Sequence, residues 1–292
     1  METIMELRAI TKRYNGKEVI GKASFSIRTN QIVALIGKNG SGKSTLLKMI
    51  AGLEKPDDGE IHKPIQSLKI GYVPEIPPVD ILFTPEEYLM HMGRIRGIGK
   101  QQLHQRIDSL LESFHLQDVR KTRIIDFSKG MKQKVTIMQA MLEKPNLLIL
   151  DEPLSGLDPK AQADLEAILL QLKERGLGVI LTCHETRLLE NLVDRALLIK
   201  NQQVIQMDAL HKSDVHKDRF IFEICIDKSL EAILPFIEIQ RESSLNTKVN
   251  EVEAIVNREY TNQVLVELLK KDASIRLVAP IYGVKGEFQH YF

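Results

Sequence analysis

Gly37-Lys38-Asn39-Gly40-Ser41-Gly42-Lys43-Ser44-Thr45 fits the pattern G-x-x-x-x-G-K-[ST], a loop that cradles phosphate groups. Before it, Gln31-Ile32-Val33-Ala34-Leu35-Ile36 is apolar and β-prone and predicts a buried strand. After it, residues 46–53 predict the opening of a helix. Strand, glycine loop and helix together are the context this pattern needs. Gly37, Gly40 and Gly42 lack a Cβ, so the backbone can curl and aim several N–H groups at one anion. The helix N-terminus adds the positive end of its dipole. Lys43 brings a full charge to the β- and γ-phosphates, and the Ser44 hydroxyl is placed to ligate Mg²⁺. Asn39, Ser41 and Thr45 complete the expected nucleotide cradle.

Far along the chain, Asn146-Leu147-Leu148-Ile149-Leu150-Asp151-Glu152-Pro153 is an apolar run that ends in two acids. Such a run suits a central parallel strand. Asp151 at its carboxyl end is expected to face the Mg²⁺ site, and Glu152, one residue on, to polarise a water.

The chain has 292 residues, enough for one large or two smaller domains. Lys and Arg number 40 against 39 Asp and Glu, so charge supplies no reason to expect a nucleic-acid partner. The two cysteines, Cys183 and Cys225, are far apart and lack metal spacing, which favours free thiols in a reducing compartment. No apolar run approaches the ~18 residues of a membrane span. The first residues lack the basic-then-apolar plan of a signal peptide. A cytoplasmic chain follows, with any membrane role supplied by a partner.

Working outward, residues 5–10 and 23–27 read as strands around a turn at Asn15-Gly16. Residues 60–62 and 69–73 read as two more. From 84 to 143 the periodicity becomes helical. Thr84-Pro85-Glu86-Glu87 predicts a helix start, with Thr84 as N-cap and Glu87 closing a capping box. Leu103, Ile107, Leu110, Leu111 and Phe114 recur at helical spacing, as do Val135, Met138, Met141 and Leu142. Lys132 and Lys134 read as a solvated helix face. Beyond Asp151 come a helix over 159–175, a strand over 178–182, a helix around 187–191 and a strand over 195–199. This is an α/β layout with a helical insertion. After about Lys217 the character shifts. Strands are expected over 219–227, 237–240, 252–256 and 275–279. A short helix is expected over 229–234 and a loop over 241–247. A second helix is expected over 261–271, with Val264, Leu265, Leu268 and Leu269 inward. Together they make a small βαββαβ-like domain. The expected domains are 1–214, with the helical part at 84–143, and an accessory α+β domain at 218–292.

Between the two phosphate-site motifs lies Phe127-Ser128-Lys129-Gly130-Met131-Lys132-Gln133. It resembles the L-S-G-G-Q signature of ATP-binding-cassette (ABC) ATPases. Four further elements resemble that family in order: Tyr14 as the aromatic that stacks on adenine, Tyr72-Val73-Pro74-Glu75 at the Q-loop, Ser155-Gly156-Leu157-Asp158 at the D-loop, and His184 at the switch histidine. The resemblance spans roughly residues 5–208. It implies a P-loop NTPase fold of the ABC type that uses ATP and Mg²⁺. Lys43, Glu152 and His184 are then catalytic, and Ser44, Glu75 and Asp151 hold the metal. Ser128 and Gly130 of a second protomer close the other side of the nucleotide. Glu75 stands where the family usually has Gln. A carboxylate remains a hard ligand for Mg²⁺ but adds a negative charge. Glu at this position, the K-G-M signature and the C-terminal extension resemble ATPase subunits of bacterial drug, antibiotic or polysaccharide exporters. The ending, residues 286–292, resembles that group's acidic-aromatic tail. The implied partner is a separate integral-membrane permease, with this chain peripheral at the inner membrane face. The apolar loop 75–83, with Ile76, Pro77, Pro78, Val79, Ile81, Leu82 and Phe83, is the expected docking surface. The competing reading is a soluble ABC-class ATPase not coupled to transport.

Overall fold

The computed structural model describes residues 1–76, 81–183, 192–207, 217–225, 227, 228, 230, 233–244 and 249–281. The chain divides into two compact units, one within Met1–Asp208 and one within Ala209–His290.

In the first unit the strands are β1 (Thr3–Tyr14), β2 (Lys17–Arg28), β3 (Ile32–Ile36), β4 (Asp58–His62), β5 (Ile70–Val73), β6 (Leu147–Leu150), β7 (Gly178–Thr182), β8 (Arg195–Lys200) and β9 (Gln203–Met207). The helices are α1 (Lys43–Ala51), α2 (Pro85–Ile95), α3 (Lys100–Ser113), α4 (Lys129–Ala140) and α5 (Pro159–Glu174). A six-stranded sheet runs in the order β5-β6-β7-β3-β8-β9. It is parallel except for β9 at the edge, which pairs antiparallel with β8. Every residue of β3, β6 and β7 is buried, which is why these segments are continuous apolar runs. A three-stranded antiparallel sheet, β2-β1-β4, packs its inward residues, including Ile4, Leu7, Ile20 and Ile27, into one core with β3 and α1.

Local chemistry accounts for the element ends. Asn15 and Gly16 both have positive φ, 51° and 76°, as a two-residue hairpin turn requires. Thr84 accepts from the Glu87 N–H at 3.3 Å, and the Glu87 carboxylate accepts from the Thr84 N–H at 2.9 Å. That reciprocal box starts α2 where the sequence places it. Leu103, Ile107, Leu110 and Leu111 bury one face of α3.

Several expectations are corrected. β1 and β2 run much longer than the apolar segments alone suggest, because each strand is half exposed and carries polar residues on its outer face. Lys134 is not on a solvated face. It is buried, donates to the Phe114 carbonyl at 3.0 Å and pairs with Asp164 of α5. The helix expected around 187–191 lies outside the described residues.

The second unit is a four-stranded antiparallel sheet, β11-β12-β10-β13, with β10 (Lys217–Cys225), β11 (Ile237–Ser244), β12 (Val249–Asn257) and β13 (Ser274–Ile281). Helix α6 (Thr261–Lys270) follows β12. Phe220, Phe222, Val252, Ala254, Val256, Val264 and Leu268 form its core. Arg241–Ser244 continue β11 instead of forming a loop, since polar residues suit an edge strand. Leu269 is 59% exposed and does not join the core. Within the expected 229–234 helix, Ser229, Glu231 and Ala232 lie outside the described residues. A single 3₁₀ turn, Leu234–Phe236, follows there.

Candidate nucleotide site

β5, β6, β7 and β3 are adjacent and parallel, so their carboxyl ends present Glu75, Asp151–Glu152, Thr182 and Gly37 along one edge of the sheet. Loops at such carboxyl ends are where open α/β sheets bind ligands. A cavity of ≈ 570 Å³ lies there, lined by Tyr14, Val19, Asn39, Gly40, Gly42, Lys43, Ser44, Thr45, Glu75 and Glu152. Eight of the expected site residues therefore converge on one space with Tyr14, far away in sequence.

The loop is built for close backbone approach. A Cβ on Gly37 would lie 2.7 Å from Ser41 Oγ and 2.8 Å from the Ile199 carbonyl oxygen. A Cβ on Gly42 would lie 2.8 Å from Ile20, and Gly42 has φ 105° as it turns into α1. Lys43 is 6% exposed, and its ammonium donates to the carbonyls of Gly37 at 2.8 Å and Lys38 at 3.3 Å. Burial pulls this ammonium below the usual lysine range, opposed by Glu152, Asp151 and Glu75. Ser41 Oγ is buried and finds no partner among the described residues. A desolvated cation, an unpartnered hydroxyl and a glycine loop fit the oxygens of a phosphate chain.

Asp151 is buried at the end of β6. Its N–H donates to the Val73 carbonyl at 2.9 Å, tying Asp151 to the strand that leads to Glu75. Glu152 has φ 47°, an uncommon conformation for a non-glycine residue, and the residue lines the cavity. The hard carboxylates of Asp151 and Glu75 with the Ser44 hydroxyl are the donor set that suits Mg²⁺. Among the described residues no cluster of three His, Cys, Asp or Glu has metal-site geometry, so this set of two carboxylates and a hydroxyl rests on donor chemistry.

Tyr14 stands at the end of β1. Its hydroxyl donates to Glu54, which holds the phenol above its usual range, and the Lys12 ammonium lies 5.5 Å from the ring centroid. Tyr14 is 44% exposed and lines the cavity.

Ser128 and Gly130 do not line this cavity. Ser128 caps α4, accepting from the Met131 N–H at 3.3 Å, and is exposed. Gly130 is buried where α4 crosses α5. Asp158 caps α5, accepting from the N–H groups of Lys160 and Ala161. His184 lies outside the described residues, as do Pro77, Pro78 and Val79 and the whole of 282–292. In the expected docking loop, Ile76, Leu82 and Phe83 are exposed. Cys183 is buried.

Thr182 escaped the sequence reading. It is 1% exposed and joins Asp151 to Glu152, donating to Asp151 Oδ1 at 2.8 Å and accepting from the Glu152 N–H at 2.6 Å. Its one sequence signal is a hydroxyl that ends an otherwise apolar strand.

Residues 20–155 match the family model for the ABC transporter. The chain is 32% identical over 235 residues to the uncharacterised ABC transporter ATP-binding protein YxlF of Bacillus subtilis, covering 79% of each chain. It is 34% identical over 216 residues to the Nod factor export ATP-binding protein I of Burkholderia lata, covering 71% of each. Among solved structures it is similar to an ATP-binding subunit of an ABC transporter, with TM-score 0.62 and 32% identity, covering 70% of this chain and 90% of the other.

Proposed function

The chain belongs to the ABC transporter family as an ATP-binding subunit, and on that premise we propose that it hydrolyses MgATP to power export through a separate permease. The observation that carries this reading is the placement of Lys43, Glu75 and Glu152 around one cavity, with Asp151 buried beneath it. Phosphoryl transfer asks for charge neutralisation and positioning more than covalent help. Lys43 binds the phosphates, and Ser44, Asp151 and Glu75 would hold Mg²⁺. The metal neutralises charge on the phosphate oxygens when bound. Glu152 orients the attacking water and takes its proton. Tyr14 stacks on adenine, and His184 contacts the γ-phosphate.

One protomer encloses only one side of the nucleotide. Ser128 and Gly130 of a second protomer are assigned the other side, so ATP acts as glue between two cassettes and hydrolysis releases them. Export is supported by the likeness to a relative named for Nod factor export. Among the described residues no helix is long and apolar enough to cross a membrane. We assign the permease to another chain, with this one at the inner membrane face. Residues 218–292 are assigned to an accessory module.

Glu152→Gln tests the reading. It keeps the shape and removes the base, so turnover falls roughly 10²- to 10⁴-fold while MgATP binding persists. An ATP-bound dimer accumulates on size-exclusion chromatography. A variant that hydrolyses ATP at the normal rate refutes the assignment.

A further inference from the structure

We propose that Thr182 is a positioning residue for hydrolysis, setting the metal-site acid and the catalytic base through a single hydroxyl. The proposal rests on the roles given above to Asp151 and Glu152.

β7 lies between the metal strand β6 and the phosphate-loop strand β3, and the register pairs Leu181 with Leu150 and Thr182 with Leu35. Thr182 is therefore level with the residue after Leu150, which is Asp151. The hydroxyl uses its one proton on Asp151 Oδ1 and a lone pair on the Glu152 N–H. Donating to one group and accepting from the other is something a hydroxyl can do and a methyl cannot. A β-branched side chain suits the strand end, and at 1% exposure water cannot replace the bonds.

Each bond has a separate consequence. Engaging Oδ1 sets the rotation of the Asp151 carboxylate and leaves its second oxygen for the metal side. Holding the Glu152 N–H helps keep that residue at φ 47°, a conformation that persists only where its surroundings over-determine it. The Glu152 carbonyl is held too, accepting from the Ser155 N–H at 3.2 Å. The residue is thus held at its N–H and at its carbonyl while it lines the cavity.

The test uses the purified full-length chain with Thr182→Val and Thr182→Ser. Both are assayed for steady-state ATP hydrolysis, for binding of MgATP and for melting temperature. Supporting outer groups of this kind are worth roughly 10- to 100-fold in activity, so Thr182→Val is expected to lose that much kcat. At saturating Mg²⁺, KM for MgATP should stay within about threefold of wild type, because Lys43 and the glycine loop still bind the phosphates. Thr182→Ser keeps the hydroxyl and should restore most of kcat. Should the Val variant fail to fold, Thr182→Ala removes the same hydroxyl and carries the same expectation. Wild-type kcat without the hydroxyl overturns the proposal, as does a kcat loss that Ser does not rescue. A drop in melting temperature with kcat unchanged overturns it as well, since that marks a merely structural bond. Loss of activity in Glu152→Gln but not in Thr182→Val removes the positioning role and leaves the ATPase reading standing. Absence of hydrolysis in the wild-type chain removes both.

Discussion

Gly130 offers a test of whether the signature segment is shaped by packing within the chain. It is buried near the start of α4, and a Cβ there would lie 2.8 Å from the Ala161 Cβ of α5. Ordinary contact begins at 3.4 Å, so Gly130→Ala forces the two helices apart or strains them. Overpacking of this kind costs about 1–3 kcal/mol. The higher helix propensity of Ala returns up to ~1 kcal/mol. The single variant is therefore expected to be destabilised by a net ~0–3 kcal/mol, a range that reaches zero and cannot decide alone. The double variant Gly130→Ala/Ala161→Gly settles it by moving the methyl from α5 to α4. With the clash gone, the two changes should be coupled by about 1–3 kcal/mol in the stabilising direction. Urea unfolding of the four proteins measures this, followed by far-UV circular dichroism because the chain contains no tryptophan. A coupling below ~0.5 kcal/mol would refute the packing argument. Gly130 would then owe its place to contact with the partner's nucleotide alone, and Gly130→Ala would lower turnover whatever stands at 161.

Three further outcomes are expected. Lys43→Ala removes a charged donor worth about 1.5–3 kcal/mol, so the Kd for MgATP should rise roughly 10- to 150-fold. Hydrolysis should disappear, and unchanged hydrolysis would take the phosphate role from this loop. Burial works to raise the Asp164 carboxyl, but Lys134 and His115 outweigh it and hold it below the usual range. A depressed carboxyl stabilises the fold above its unfolded pKa of about 3.9 and loses that contribution as pH falls through the folded value. The carboxylate is 35% exposed, so screening keeps the effect small. Lys134→Met should flatten this acid limb in melts between roughly pH 5 and 2, and an unchanged limb would assign it to other carboxylates. Leu82 is 64% exposed, and Ile81 beside it is half-buried. Glu at both positions should spare MgATP binding and abolish recruitment to membranes containing the permease. Recruitment at the wild-type level would move the docking surface elsewhere.

The sequence by itself determined everything whose physics is local. A phosphate loop needs glycines, a lysine and a hydroxyl at fixed spacing, and 37–45 carries them from the end of a strand into a helix, which opens at Lys43, three residues earlier than read. Buried parallel strands need continuous apolar runs, so β3, β6 and β7 were legible. The Thr84–Glu87 box was legible because both partners lie within one helical turn. β9 and the polar end of β11 were not, since both are held by backbone pairing at a sheet edge and carry no alternating apolar pattern. The contacts that only tertiary structure decided join residues far apart in the chain. Thr182 reaches Asp151 and Glu152, Lys134 reaches Asp164, Tyr14 reaches Glu54, and Gly130 meets Ala161. Each depends on strand order, register or helix crossing. A threonine ending a strand or a lysine on a helix reads the same whether it faces water or a buried carboxylate, because its surroundings are set by residues brought near only when the chain folds.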